Sequence, residues 1–144
     1  MSGDFQPQGV ELGRGCLKVG TVHQLGHAIG FYHEHNRPDR DKYIDIVYDN
    51  IYDYYENQFQ KIPEGESNTL GMVYDPASIM HYKGDAFSRN GSATIKPKDP
   101  SIPFGNAYEL SPLDIAKANA LYSCGKYSVS LTYIHAHISD HLLL

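Results

Sequence analysis

Long apolar runs are missing from this chain, and none approaches the ~20 residues that a membrane-spanning helix needs. Basic residues are also in deficit. The 12 Lys+Arg against 17 Asp+Glu give a net charge of −5, which leaves no electrostatic footprint for DNA or RNA. Cysteine is scarce, and Cys16 and Cys124 lie far apart. Two buried thiols and an oxidised pair are both compatible with that count. The opening residues Met1 to Pro7 carry neither a basic n-region nor an apolar h-region. The chain as it stands is therefore expected to have no signal peptide. Low-complexity bias and internal repeats are absent, and 144 residues correspond to one domain of ordinary size.

Histidine, in contrast, is plentiful, with eight copies that cluster. From Lys18 to Gly30 the run KVGTVHQLGHAIG predicts a helix, with Val22, Leu25 and Ile29 at helical spacing and Gly30 as its stop. His33 to Asp41 is charged, turn-like and broken by Pro38. Tyr43 to Ile51 suggests a short extended segment, and Tyr52 to Ile62 is more helix-like. Residues 63–77 and 84–109 read as loop, rich in Gly, Pro, Ser and Asn. Ser111-Pro112-Leu113-Asp114 is a helix start with a capping box. Leu113, Ala116, Ala120 and Leu121 then share one face, and Gly125 is the expected stop.

On the first helix, His23 and His27 are one turn apart and project from the same face. Gly30 permits the reversal that returns His33 to the same point. Three neutral imidazoles with one open position make the tetrahedral arrangement that catalytic zinc uses. With eight His in 144 residues, chance supplies such a triad somewhere in roughly 2.5% of chains, and in roughly 0.2% once Gly30 is required. The competing reading is an exposed helix that merely carries histidines.

The segment HQLGHAIGFYHEHNRPDRD (His23 to Asp41), followed by SIMHY (Ser78 to Tyr82), resembles the astacin family of zinc metalloendopeptidases, within the metzincins. The likeness runs from about Gly9 to Cys124, including GRGCLKVGT and the closing LYSC. It implies an α+β fold, the metzincin-like lower subdomain of a zinc protease, mostly helix and loop. The family's N-terminal sheet half would be largely missing. Residues 1–8 would be an irregular lead-in, 9–124 a partial catalytic domain, and 125–144 an unrelated C-terminal extension. By position, the resemblance makes His23, His27 and His33 the ligands of a Zn2+ ion. It makes Met80 the apolar floor beneath them, and Tyr82 a further ligand that swings away to stabilise the tetrahedral intermediate. Glu34 would bind the new N-terminus of a mature enzyme. The implied substrate is a protein or peptide, and the implied location is extracellular.

The chain departs from that pattern in three ways. Gln24 stands where the family has the general-base Glu. An amide has nearly the carboxylate's shape but accepts no proton at useful pH, and general acid–base assistance is worth ~10²–10⁴ in rate. Hydrolysis is therefore expected to be impaired or absent, with zinc binding retained because Gln24 is not a ligand. By the resemblance, the upstream sheet half would be missing, and with it the partners expected for Cys16 and Cys124. Between Thr21 and His23 only Val22 intervenes, one residue fewer than is usual. Three readings follow: an astacin-like metalloendopeptidase, a zinc-binding pseudoprotease that holds partners without cutting them, or a non-folding fragment. In the tail, His135, His137 and His141 raise a second metal site as an alternative to a plain extension.

Overall fold

The computed structural model describes Gly9 and residues 18–124. His135, His137, His141, Cys16 and the expected extension at 125–144 lie outside the described residues, while Cys124 is exposed. Regular structure is sparse. Helix α1 spans Lys18–Ala28, strand β1 Ile44–Ile46, strand β2 Ile95–Pro97 and helix α2 Pro112–Leu121. Short 3-10 turns at Glu34–Asn36, Arg40–Lys42, Tyr48–Asn50 and Glu56–Phe59 fill the interval between α1 and the long loops.

The strands pair antiparallel, with Ile44 opposite Pro97, Asp45 opposite Lys96 and Ile46 opposite Ile95. Ile44 and Ile95 of the strands are buried in the core with Ile51, Phe59 and Tyr74 from the loops and turns, and Ile46, Tyr82, Phe87 and Phe104 pack around them. Tyr82, two residues beyond Met80, thus has its ring anchored in the core. Strand β2 falls inside a segment whose composition reads as loop. At three residues it is shorter than the runs in which alternation becomes visible.

The expected helix over Tyr52 to Ile62 is absent apart from the 3-10 turn Glu56–Phe59. Tyr54 sits at φ 74°, a left-handed conformation that interrupts a right-handed helix. Beyond it, the carbonyls are taken by side chains instead of helical N–H groups. Gln58 O accepts from His35 and Asn36, Phe59 O from Arg40 Nη1, and Gln60 O from Asn36. The segment is a platform of acceptors for the turn that follows the third histidine.

Both helices stand where the sequence expects them, but their apolar faces do not. In α1, Leu25 is 49% and Ile29 37% exposed, while the buried position is Gly26. In α2, Asp114 and Ala116 are buried and Leu113 half-buried, whereas Ala120 and Leu121 are exposed. Packing in these helices is decided by a close backbone approach and by a buried carboxylate. Spacing of apolar residues reports neither. The capping box itself is as expected: Ser111 Oγ accepts from Asp114 N at 2.9 Å, and the Asp114 carboxylate accepts from Ser111 N at 3.1 Å. No described helix is long and apolar enough to cross a membrane.

Candidate metal centre

Helix α1 carries His23 and His27 one turn apart. It ends through Gly30, whose φ of 96° is the left-handed geometry that glycine accepts without strain. The chain then reverses. Phe31 N donates to Gly26 O at 2.9 Å and Glu34 N to Met80 O at 3.0 Å, which sets His33 against the helix. The three Nε2 atoms form an equilateral triangle 3.1 Å on a side.

The remaining ring nitrogens fix the chemistry of that triangle. His23 Nδ1 lies 2.8 Å from Ile79 O, and His27 Nδ1 lies 2.8 Å from Phe31 O. A carbonyl only accepts, so each Nδ1 carries the proton and each neutral ring turns an Nε2 lone pair inward. The side chain of Asn36 acts on His33 in the opposite sense to burial, favouring its charged form. The Asn36 amide NH2 is spent on the Gln58 and Gln60 carbonyls. Burial, reinforced by the charges of the neighbouring rings, pushes His33 down to about 3, and burial likewise lowers His23. His23 and His33 are thereby favoured in the neutral form that metal ligation requires.

Three lone pairs converging at 3.1 Å repel one another unless a cation lies between them. Tetrahedral zinc with Zn–N bonds of about 2.0–2.1 Å places its nitrogens about 3.3 Å apart. The triangle matches that span, and His23 and His27 each have the outer hydrogen bond that orients metal-binding imidazoles. Among the described residues, this triad is the group of His, Cys, Asp and Glu side chains with metal-holding geometry.

Met80 packs on α1 and Tyr82 lies against His33, both beside the triad. Met80 is buried against α1 at Gly26, where an added Cβ would come within 2.6 Å of its Sδ. The Tyr82 ring lies 4.4 Å from that of His33 and stacks on His35 at 4.0 Å, and burial raises its phenol pKa. Gln24 is exposed on α1. A cavity of about 330 Å³ lined by His23, Ile79, His81, Tyr82, Lys83 and Asp85 opens beside the triad.

Glu34, next to the third histidine, is buried and fully engaged. It accepts from Arg37 Nη1 at 3.0 Å, Lys117 Nζ at 2.6 Å and Asp75 N at 2.8 Å. Arg37 also forks onto Asp39 with two bonds of 2.9 Å and donates to Met72 O and Val73 O. Sequence reading missed this lattice, along with Asp114, Ser78 and Lys117 as supports of the site. Asp114 was visible only as a capping residue, because its further partners are 35 and 36 positions away.

Comparison with known proteins agrees with this geometry. The family model for the Astacin peptidases matches residues 2–123. Zinc metalloproteinase nas-14 of Caenorhabditis elegans is 49% identical over 114 residues, covering 78% of this chain and 23% of that protein. Embryonic protein UVS.2 of Xenopus laevis is 47% identical over 121 residues, covering 83% of this chain and 23% of that protein. The chain thus spans about a quarter of the length of these curated relatives. Among solved structures, high choriolytic enzyme 1, a hatching enzyme zinc-protease from the medaka fish Oryzias latipes, superposes with a TM-score of 0.69. It is 41% identical and matches 74% of this chain and 52% of its own.

Proposed function

The chain belongs to the astacin family of zinc metallopeptidases, and from that premise we propose that His23, His27 and His33 bind one zinc ion through Nε2. The observation that carries this reading is the 3.1 Å triangle of inward-facing lone pairs. Bound there, zinc supplies Lewis acidity toward a peptide carbonyl and lowers the pKa of water to about 7. Residues 9–124 act as part of a catalytic domain, and the substrate class is an extracellular protein or peptide seated in the cleft beside His23 and Tyr82. Tyr82, held against His33 and kept protonated by burial, donates a hydrogen bond to the oxyanion that develops on the scissile carbonyl.

Proton transfer is where this chain falls short. The position that follows the first ligand must take a proton from the attacking water and return it to the leaving amine. Gln24 does neither. Glu34 is no substitute, because its carboxylate is occupied by Arg37, Lys117 and Asp75 N–H. Hydrolysis is therefore impaired while metal binding persists. Gln24 also favours a second reading, a zinc-dependent module that holds extended peptides without cutting them.

The test has two arms. Zinc per folded monomer should be one in the parent and near zero in His27→Ala. Gln24→Glu should raise peptide hydrolysis by ~10²–10⁴ with zinc content unchanged. Ordinary protease turnover by the parent would refute the impairment, and equal zinc in parent and His27→Ala would refute the ligand assignment.

A further inference from the structure

Helix α2 supplies none of the three imidazoles, yet it grips the segment that orients one of them. Asp114 is 1% exposed. Its Oδ1 accepts from the Ser78 hydroxyl at 2.6 Å, and its Oδ2 accepts from Ile79 N at 2.9 Å. The Ser78 oxygen in turn accepts from Met80 N at 3.0 Å. That N–H and the carbonyl of Ile79 belong to one peptide unit, which is planar, so fixing one end fixes the other. The Ile79 carbonyl is the acceptor of His23 Nδ1. Capping α2 uses only the bonds between Asp114 and Ser111. The bonds to Ser78 and Ile79 are surplus to the cap, and both end on the segment that holds His23.

We propose that Asp114 is a positioning residue for His23, acting through Ser78 and the Ile79–Met80 peptide. The carboxylate charge polarises the hydrogen-bond chain and strengthens the carbonyl as an acceptor. That locks the Nδ1–H tautomer and aims Nε2 at the centre of the triad. The proposal rests on the reading of His23 as a zinc ligand and adds an outer partner two bonds removed. Outer partners of this kind set metal affinity by about 10–100-fold.

The experiment compares the full chain with Asp114→Ala, Asp114→Asn and Ser111→Ala. Zinc affinity is measured by competition with a chromophoric chelator, and ligand geometry by the visible absorption of the Co(II)-substituted protein. Ser111→Ala weakens the start of α2 but leaves the bonds from Asp114 to Ser78 and Ile79. It should lower thermal stability while keeping the parent's zinc affinity within about two-fold and its Co(II) spectrum. Asp114→Ala should lose about 10–100-fold in zinc affinity and alter the Co(II) bands. Asp114→Asn, which keeps the shape and one acceptor, should lose several-fold. Parallel losses of stability and affinity in Asp114→Ala and Ser111→Ala would overturn the proposal, as would a parent-like Asp114→Ala. Should Asp114→Ala fail to fold, a parent-like affinity and spectrum in Asp114→Asn overturns it alone. A parent without stoichiometric zinc overturns the ligand reading and the proposal together.

Discussion

Gly26 shows how a single position carries opposite meanings in sequence and in structure. Inside a helix, glycine costs up to about 1 kcal/mol relative to alanine, so it reads as a weak point between two histidines. In the fold it is buried, and a Cβ there would meet Met80 Sδ at 2.6 Å. The missing side chain is what lets Met80 press against α1 beneath the triad. Gly26→Ala should therefore destabilise the chain by about 1–3 kcal/mol, the usual cost of overpacking, instead of stabilising it. In a urea titration, the loss should be smaller in a Met80→Ala background, because the clash is then relieved and the two sites couple. The triad itself was legible, because its spacing encodes a helical turn followed by a glycine-permitted reversal. The supports were not, since a hydrogen bond between residues 114 and 79 leaves no local periodicity.

Among the elements, α2 was legible because a capping box is written in four consecutive residues. The turn after His33 was legible only as charge broken by proline. Its role lies in where Arg37 and Arg40 reach: Arg37 to Glu34, Asp39 and two carbonyls, Arg40 to His35 O and Phe59 O. Phe59 O, with Gln58 O and Gln60 O, lies in the segment Tyr52 to Ile62 that reads as helix-like, and the arginine, histidine and asparagine side chains pre-empt that helix. The fork between Arg37 and Asp39 gives this element a pH signature. Burial would raise the Asp39 pKa, but the hydrogen bonds and charge of Arg37 outweigh it and hold it below the ordinary 3.8. A depressed folded value means that the ionised pair stabilises the fold above pH 3.8, and that this contribution fades as pH falls toward the folded pKa. Parent and Asp39→Asn should therefore differ in urea stability at about pH 7 and about pH 5, and converge below about pH 4. A constant gap down to about pH 3 would show that the carboxylate charge is immaterial.

At the scale of the whole molecule, the balance of interior residues decides how the fold is held. Among the described residues nine apolar side chains are buried, against ten polar or charged ones. Several of the latter, Glu34, Arg37, Asp75, Ser78, Ser111 and Asp114, form one hydrogen-bonded lattice beside the triad. Such a lattice stabilises only when every member is satisfied. Without a cation, the three Nε2 lone pairs at 3.1 Å remain opposed at its edge. Metal occupancy is thus linked to folding: a ligand held at about a thousand times its Kd adds about 4 kcal/mol to the folded state. For a domain of this size that corresponds to a shift in Tm on the order of 10 °C. Adding a strong chelator should lower the melting temperature of the parent by that amount and leave His27→Ala, which starts from the lower value, unmoved. Because the lattice joins α1, the Met80 segment and α2, loss should appear as one shifted transition rather than as fraying of α1 alone. A parent whose melting curve ignores the chelator would mean that the imidazoles are set by the protein lattice, with no energetic share for the metal.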